Sequence, residues 1–180
     1  MIAPLHAADF KLASYFGDHM VLQRGQKNCV WGTGNPGATV AVSIAAQKIS
    51  TTIDPDGHWK VYLQPISAGG PYTLTAVSDR QTVTLNDVLY GDVWLCSGQS
   101  NMQMPVKECV AGEQQTALAS RPNLRLCAVG KGWNAKPQFS ADIKWRTCTP
   151  DSTRDFSAVG YFFASELVKC KALSRVPVCV

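Results

Sequence analysis

The spacing of apolar residues changes near residue 88, and this change divides the chain into two kinds of structure. Before it, apolar residues alternate with polar ones in short runs, as at Val40, Val42 and Ile44. A period of two is typical of half-buried β-strands. The same alternation recurs at Trp59, Val61 and Leu63 and at Tyr72, Leu74 and Ala76. Turn segments rich in Gly, Pro, Asn and Asp separate the runs, so the sequence predicts an antiparallel β-sandwich over residues 1–87.

Beyond residue 88 the pattern alternates between strands and helices. The predicted strands are residues 93–96, 124–128, 145–148 and 176–180, and the predicted helices are residues 106–118 and a segment from Asp155 or Ser157 to Cys170. The second helix is expected to bury a stripe formed by Val159, Phe163, Leu167 and Cys170. This order is typical of the beginning of a three-layer α/β fold. About 90 residues would leave such a sheet with uncovered apolar faces, so residues 88–180 are predicted to be an incomplete domain.

Two familiar motifs in the first half lack the context that their function needs. Residues 32–37 fit the dinucleotide pattern Gly-x-Gly-x-x-Gly, but they lead into an alternating strand rather than into a helix that could hold a pyrophosphate. Asp54, Asp56 and Gly57 resemble the start of a calcium loop, but Pro65 stands where the bidentate glutamate is required. The first segment is therefore interpreted as a loop and the second as a hairpin turn.

Composition excludes several classes of partner. The net charge of +4 is not concentrated in any basic run, which argues against nucleic acid and anionic membranes as partners. No apolar run approaches the roughly 18 residues of a membrane span. The seven cysteines include no Cys-x-x-Cys pair, so neither a zinc site nor a disulfide framework is indicated. Buried free thiols are expected, with Cys96 as a small buried apolar side chain.

Residues 92–102 form an apolar strand that leads into a turn of small residues with the hydroxyl of Ser100 at its tip. A serine at the carboxyl end of a strand is held on rigid backbone, as acyl transfer requires. Met102 stands where the Gly-x-Ser-x-Gly elbow has its second glycine. Spacing alone favours a turn that only links a strand to a helix, with its hydroxyl satisfying local backbone. Ser97 is the competing hydroxyl, and Gln99 and Asn101 are interpreted as turn-stabilising residues.

The twelve residues 91–102, Gly-Asp-Val-Trp-Leu-Cys-Ser-Gly-Gln-Ser-Asn-Met, resemble the nucleophile block of the sialate O-acetylesterase family, a branch of the SGNH hydrolases. Residues 16–24, 69–74 and 155–163 resemble further blocks of this family in the same order. The resemblance implies an SGNH-type three-layer α/β domain and serine-dependent hydrolysis of O-acetyl esters of sialic acid or related sugars, without a metal or cofactor. It assigns the nucleophile to Ser100, whose backbone N–H would also stabilise the oxyanion. It further implies a secreted or periplasmic protein.

The family's catalytic histidine belongs to a late Asp-x-x-His block, and its other oxyanion donors also come from later blocks. Of the family's catalytic blocks, this sequence matches only the one that carries the nucleophile, so we expect an N-terminal fragment that is inactive by itself. His19 is interpreted as a structural or interdomain residue. Cys179 stands where the family has a glycine, which puts in doubt a close backbone approach at that position. Residues 1–9 have an Ala-rich end that is compatible with the tail of a secretion signal.

A second function from another class stays open. In this alternative the chain is a non-catalytic module that binds carbohydrate or protein through its β-sandwich. Exposed aromatic side chains on one face of the sandwich, among Trp31, Trp59 and Tyr72, would favour it.

Overall fold

The computed structural model describes residues 9–130, 132, 134–170, 173 and 176–180. Residues 1–8, with most of the predicted signal tail and His6, lie outside the described residues. The strands are β1 (Lys11–Leu12), β2 (Val21–Gln23), β3 (Asn28–Thr33), β4 (Thr39–Ile44), β5 (Gln47–Thr52), β6 (His58–Leu63), β7 (Gly69–Ser78), β8 (Gln81–Val93), β9 (Arg121–Val129), β10 (Ile143–Cys148) and β11 (Val178–Cys179). The helices are α1 (Ser100–Gln103), α2 (Gly112–Ala117), α3 (Pro150–Arg154) and α4 (Ala158–Lys169), with a 3₁₀ turn at Val106–Glu108.

The described strands form two sheets. The smaller has the order β1-β3-β6, and the larger has the order β10-β9-β11-β8-β7-β4-β5, with β2 pairing alongside β8. Strands β2 and β11 run parallel to β8, whereas β7 is antiparallel to it. The protein therefore has a mixed, β-rich α/β fold, which confirms the predicted class at this level.

The alternating residues of the first half meet in one core that both sheets share. Strands β4, β7 and β8 contribute side chains from the larger sheet, and β3 and β6 contribute side chains from the smaller one. Val40, Val42 and Leu63 are completely buried, and Trp59 is 3% exposed. Burial of an aliphatic side chain of this size stabilises a fold by about 1.5–3 kcal/mol. The strands predicted from a period of two are thus confirmed, although Tyr72 is only half-buried.

Strand β8 connects the two halves of the chain, because it continues through residue 88. Its first part pairs with β7, and its last residues Asp92 and Val93 pair with β11. Val88 and Tyr90 lie in the core between the two sheets. The domain boundary at residue 87/88 therefore stays a prediction, at a point where the backbone continues as one strand.

The second half builds its own core between α4 and the strands β9 and β11. Leu124 and Val178 are completely buried there, together with Tyr161 of α4. The predicted strands at residues 124–128, 145–148 and 176–180 are all present as β9, β10 and β11.

The helix predicted over residues 106–118 is wrong. The segment contains a 3₁₀ turn and the short α2, separated by Ala111 in a left-handed conformation with φ 57°. A Cβ on Gly112 would lie 2.2 Å from the carbonyl oxygen of Val106, so the chain folds back tightly at this point. Val110 is 97% exposed and Leu118 67% exposed, because the break turns them away from the core.

The helix predicted from Ser157 is confirmed, but its predicted buried stripe is not. Ser157 caps α4 by accepting a hydrogen bond from the N–H of Gly160. Apart from Tyr161, the buried face consists of small residues, namely Ala158, Gly160, Ala164 and Ser165. The helix therefore packs closely against the strands. Val159 and Phe163 of the expected stripe are exposed as a result.

Three local predictions need correction. Strand β8 ends at Val93, so residues 94–96 are not a buried strand and Cys96 is exposed. All seven cysteines are unpaired, but only Cys148 and Cys179 are buried. The turn at residues 54–57 is not a hairpin, because it connects β5 in the larger sheet with β6 in the smaller one. The segment predicted to be a loop, residues 32–37, leads into strand β4 and not into a helix, as predicted.

Candidate active site

Ser100 is the first residue of α1, seven residues after the end of β8. Its side chain is exposed, and its hydroxyl has no hydrogen-bond partner among the described residues. At the first position of a helix the backbone N–H has no intrahelical acceptor, so it is available to a ligand oxygen. The hydroxyl of Ser100 is therefore free to react, and its N–H has no acceptor within the helix.

The strand that leads to Ser100 is fixed at its end by residues 16–24. The side-chain oxygen of Gln23 accepts a hydrogen bond of 2.9 Å from the N–H of Val93. Arg24 donates two hydrogen bonds to Asp92, from Nε at 2.7 Å and from Nη2 at 3.0 Å. Hydrogen bonding to Asp92 raises the pKa of the Arg24 guanidinium. The end of β8 is thus held by side chains as well as by pairing with its neighbours.

The segment after Ser100 is held by residues 155–163. The N–H of Ala158 donates to the carbonyl of Met104 at 2.8 Å, and the N–H of Val106 donates to the carbonyl of Phe156 at 3.0 Å. The ring of Phe163 packs edge-on against Trp94, with centroids 5.2 Å apart. The nucleophile segment is therefore fixed on both sides of an exposed turn.

The turn itself depends on Gly98. A Cβ at this position would lie 2.6 Å from Cγ of Met102, because the Met102 side chain folds back over it. The N–H of Met102 donates to the carbonyl of Gln99. Gln99 thus supports the turn through its backbone, and its side chain makes no capping hydrogen bond.

His19 lies in a charged cluster away from the serine turn. Its Nδ1 is 2.7 Å from Oδ2 of Asp87, and the same carboxylate accepts hydrogen bonds of 2.8 and 3.0 Å from Nη2 of Arg125. His19 and Asp87 both have left-handed backbone, with φ of 67° and 54°. The cluster links the segment before β2 to β8 and β9, as a structural role for His19 requires.

The described histidines do not contact Ser100. His19 pairs with Asp87, and the ring of His58 lies 4.7 Å from that of Phe139. Neither Arg125 nor the pairing of Arg24 with Asp92 was predicted from the sequence. Arg24 and Asp92 each lie in a stretch that resembles the esterase family. The resemblance marks both residues, but it does not indicate that they contact each other. Nothing in the pattern around Arg125 indicates a buried charge, although its side chain is only 4% exposed.

The backbone of β8 approaches the backbone before β11 closely at Gly91. The glycine that the family has at position 179 is replaced here by Cys179. A Cβ on Gly91 would lie 2.0 Å from the carbonyl oxygen of Pro177. Cys179 is accommodated as a buried side chain in β11. Burial raises its thiol pKa well above the usual value.

Metal-binding clusters and membrane-spanning helices are both absent from the described residues. No group of three or more His, Cys, Asp or Glu side chains in this part of the chain has a geometry that could hold a metal ion. Among the described helices, none combines the length and the apolar character that crossing a membrane requires.

The relatives of this chain are esterases by name. It is 39% identical over 132 residues to the sialate O-acetylesterase of Mus musculus, a match that covers 67% of this chain and 24% of the relative. It is 33% identical over 178 residues to the sialate O-acetylesterase of Homo sapiens, covering 88% of this chain and 34% of the relative. No family model matches the chain.

A solved structure agrees with these relatives. A carbohydrate acetylesterase from Xanthomonas citri superposes with a TM-score of 0.89 at 40% identity, covering 95% of this chain and 39% of that one. The chain thus spans about a quarter to a third of the length of the relatives it matches in sequence. These matches confirm the resemblance that the motifs indicated and place the chain in the sialate O-acetylesterase family.

Proposed function

We propose that this chain carries the nucleophile of a carbohydrate O-acetylesterase, and that Ser100 is that nucleophile. The substrate class is an O-acetyl ester of sialic acid or of a related sugar. The exposed hydroxyl of Ser100, on a turn whose two flanks are fixed, is the observation that carries the proposal. The names of the sequence relatives and of the structural neighbour support the reaction class.

The reaction follows from the chemistry of an activated serine. Oγ of Ser100 attacks the acetyl carbonyl carbon while a general base takes the hydroxyl proton. The carbonyl oxygen becomes an oxyanion, which the backbone N–H of Ser100 stabilises together with further donors. Collapse of this intermediate breaks the bond between the acetyl carbon and the sugar oxygen, the base returns the proton to that oxygen so that the sugar leaves as a hydroxyl, and an acetyl-serine remains. Water then attacks the acetyl-serine, which releases acetate and restores the Ser100 hydroxyl.

The described residues supply the nucleophile of this sequence but not its base. Neither His19 nor His58 contacts Ser100, and His19 is engaged by Asp87. An isolated serine hydroxyl is a poor nucleophile at neutral pH. The proposed reaction therefore needs a general base other than His19 and His58.

The fold supports a finer architectural proposal. The two sheets that share the first core would form a β-sandwich of immunoglobulin type, and β8, β9 and β11 with α4 would form part of an SGNH-type three-layer domain. The parallel pairing of β11 with both β8 and β9 supports the second part, because parallel strands joined through helices are typical of such domains.

A hybrid enzyme tests the proposal. In the Xanthomonas citri acetylesterase, the segment that superposes on this chain is replaced by residues 9–180. We expect the hybrid to hydrolyse p-nitrophenyl acetate and an O-acetylated sialic acid. Ser100→Ala should lower kcat by about 10⁴-fold or more, as loss of a serine nucleophile does in other hydrolases.

Ser97→Ala in the same hybrid is the matched control, because Ser97 is an exposed hydroxyl three residues away. It should keep activity within a few-fold. An active hybrid that tolerates Ser100→Ala would refute the assignment and would favour the non-catalytic binding function for this chain.

A further inference from the structure

The outer face of the smaller sheet contains a cleft of about 680 Å³. This volume lies within the range of about 300–1,000 Å³ that small-molecule sites occupy. The lining residues come from β3, β5 and β6, the turn after β5, and the loop before β10, and none belongs to the segment around Ser100. The cleft is therefore a candidate second site, distinct from the esterase nucleophile.

One wall of the cleft is formed by outward-facing side chains of the antiparallel strands β3 and β6, two of which are aromatic. Trp31 lies opposite Lys60, and Cys29 lies opposite Tyr62. Alternation along each strand directs these side chains away from the core that Val61 enters. Tyr62 is 49% exposed, so a large part of its apolar ring surface is in contact with solvent. Tyr62 thus offers a ring face to a ligand on the solvent side, whereas the Trp31 ring packs against Tyr15 and Phe16, with centroids 5.4 and 4.7 Å away.

The other wall is Phe139, which the structure holds in place over the sheet. The indole N–H of Trp31 donates to the carbonyl of Phe139 at 3.2 Å, and the Phe139 ring lies 4.7 Å from that of His58. Two residues further along, the N–H of Ala141 donates to the hydroxyl of Ser14 at 3.0 Å. The cleft is therefore built between two anchored elements.

Polar groups at the cleft have unused bonding capacity. Lys60 is exposed, and its ammonium has no partner among the described residues. Asp54 uses Oδ1 to accept hydrogen bonds from the N–H groups of Asp56 and His58. Its Oδ2 has no hydrogen bond in the described part of the chain, so both a donor and an acceptor remain open.

We propose that this cleft binds a sugar ring of the glycan that carries the acetyl ester. A pyranose has a face of C–H groups and an edge of hydroxyls, which matches aromatic faces flanked by a free donor and a free acceptor. The C–H face packs on the exposed rings of Tyr62 and Phe139, and the hydroxyls bond to Lys60 and Asp54. Where the sugar is acidic, its carboxylate pairs with Lys60. The choice of a carbohydrate rests on the proposed function, whereas the cleft and its open groups do not.

A titration of the 180-residue chain followed by NMR tests this site, with 3′-sialyllactose and lactose as the two ligands. We expect sialyllactose to shift the indole N–H signal of Trp31 and the amide signals of Lys60 and Tyr62, with a Kd on the order of 1 mM. Lactose should bind more weakly, because it has no carboxylate for Lys60. Absence of shifts at these residues with either sugar up to about 10 mM, a concentration well above that Kd, would overturn the proposal.

Single substitutions test whether the sugar binds in the cleft or at another surface. Tyr62→Ala should weaken binding of sialyllactose about 3- to 10-fold, the loss expected for one aromatic contact. Phe162→Ala, at a partly exposed aromatic on α4, should leave binding unchanged. Lys60→Gln should remove the preference for sialyllactose over lactose. Unchanged affinity in folded Tyr62→Ala, shown by an unaltered amide spectrum away from the cleft, would contradict the site.

Ser100→Ala should bind both sugars as the unmodified chain does, because Ser100 is not part of the cleft. The two proposals can therefore fail separately. Loss of turnover in the Ser100→Ala hybrid with no sugar binding at Tyr62 would retain the nucleophile and reject the cleft.

Discussion

Arg24 and Asp92 form a two-point ion pair that joins the segment beside β2 to the end of β8. Asp92 is the second residue of the block that resembles the esterase nucleophile, and Arg24 is the last residue of an earlier block of the same resemblance. The N–H of Arg24 also donates to the carbonyl of Gly91 at 2.9 Å. Two stretches that are far apart in the sequence thus act on one structural element, the strand that positions Ser100.

Arg24→Ala is expected to destabilise the fold by about 1 kcal/mol. The Arg24 side chain is 37% exposed, so solvent screens the pair and the effect stays at the lower end for charged hydrogen bonds. Urea denaturation measures the change. Arg80→Ala, at an exposed arginine in the turn between β7 and β8, is the matched control and should change stability by less than about 0.5 kcal/mol. A double-mutant cycle with Asp92→Asn should show that the effect of Arg24→Ala depends on Asp92.

The two halves of the chain are expected to separate after β8 rather than within it. A chain of residues 1–93 should unfold cooperatively, because it keeps Val88 and Tyr90 in the core between the sheets. A chain of residues 1–87 lacks both side chains and the part of β8 that pairs with β2, residues 89–91. Thermal unfolding followed by circular dichroism compares the two.

The shorter chain should show a broad transition or none. If residues 1–87 unfolded as sharply and at as high a temperature as residues 1–93, the boundary near residue 88 would be supported. In that case Val88 and Tyr90 would not be needed for the core between the sheets.

Stability should fall at alkaline pH because burial raises the folded pKa of Tyr90 and of the thiols of Cys127, Cys148 and Cys179. Burial raises the pKa of the Cys127 thiol to about 11 from 9.0, and burial raises the pKa of Tyr90 to about 12 from 10.0. The folded state therefore favours the protonated forms. Their contribution is fully present below about pH 9 and is lost as the pH rises toward 11 and 12, by up to about 1.4 kcal/mol per pH unit for each group.

The free energy of unfolding measured from pH 8 to 11 checks this dependence. Cys127→Ala should make the decline from pH 9 to 11 shallower without moving its onset, because the buried thiols of Cys148 and Cys179, whose pKa values are also raised, still lose their protons from about pH 9 in the unfolded chain. A stability profile that is flat up to pH 11 in the unmodified chain would contradict the expectation.

Period-two patterning could predict the strands of the first half because each of them has one face in the core. At Val40, Val42 and Ile44 the alternation of apolar and polar residues is the alternation of buried and exposed positions. The same kind of argument failed for α4, whose buried face includes Ala158, Gly160 and Ala164. Small residues allow close packing but add little to an apolar stripe. The larger Val159 and Phe163 dominated the pattern and lie outside.

The candidate site was predictable in part. A twelve-residue resemblance identified Ser100, and the structure places it on an exposed turn at the start of α1. The exposure of Cys96 was not predictable from its apolar neighbours, because β8 ends at Val93 and the chain leaves the sheet there. The contacts that fix the site, such as Gln23 with Val93, join residues 70 positions apart. Such pairs depend on the fold as a whole and leave no local pattern.

Residues 1–180 by themselves are expected to hydrolyse p-nitrophenyl acetate at the background rate. No base contacts the Ser100 hydroxyl among the described residues, and loss of the base alone costs about 10⁶-fold in a serine hydrolase. Purified chain at micromolar concentration, compared with Ser100→Ala, measures any specific turnover. An ordinary enzymatic rate that disappears in His19→Ala would instead make His19 the general base.

Covalent labelling tests the central claim most directly. The active hybrid with the Xanthomonas citri acetylesterase is treated with a fluorophosphonate, which reacts with an activated serine, and the modified peptide is identified by mass spectrometry. We predict stoichiometric loss of activity and a single adduct on Ser100, absent from the Ser100→Ala hybrid. An adduct on Ser97, or full inactivation with Ser100 unmodified, would contradict the assignment of Ser100 as the nucleophile.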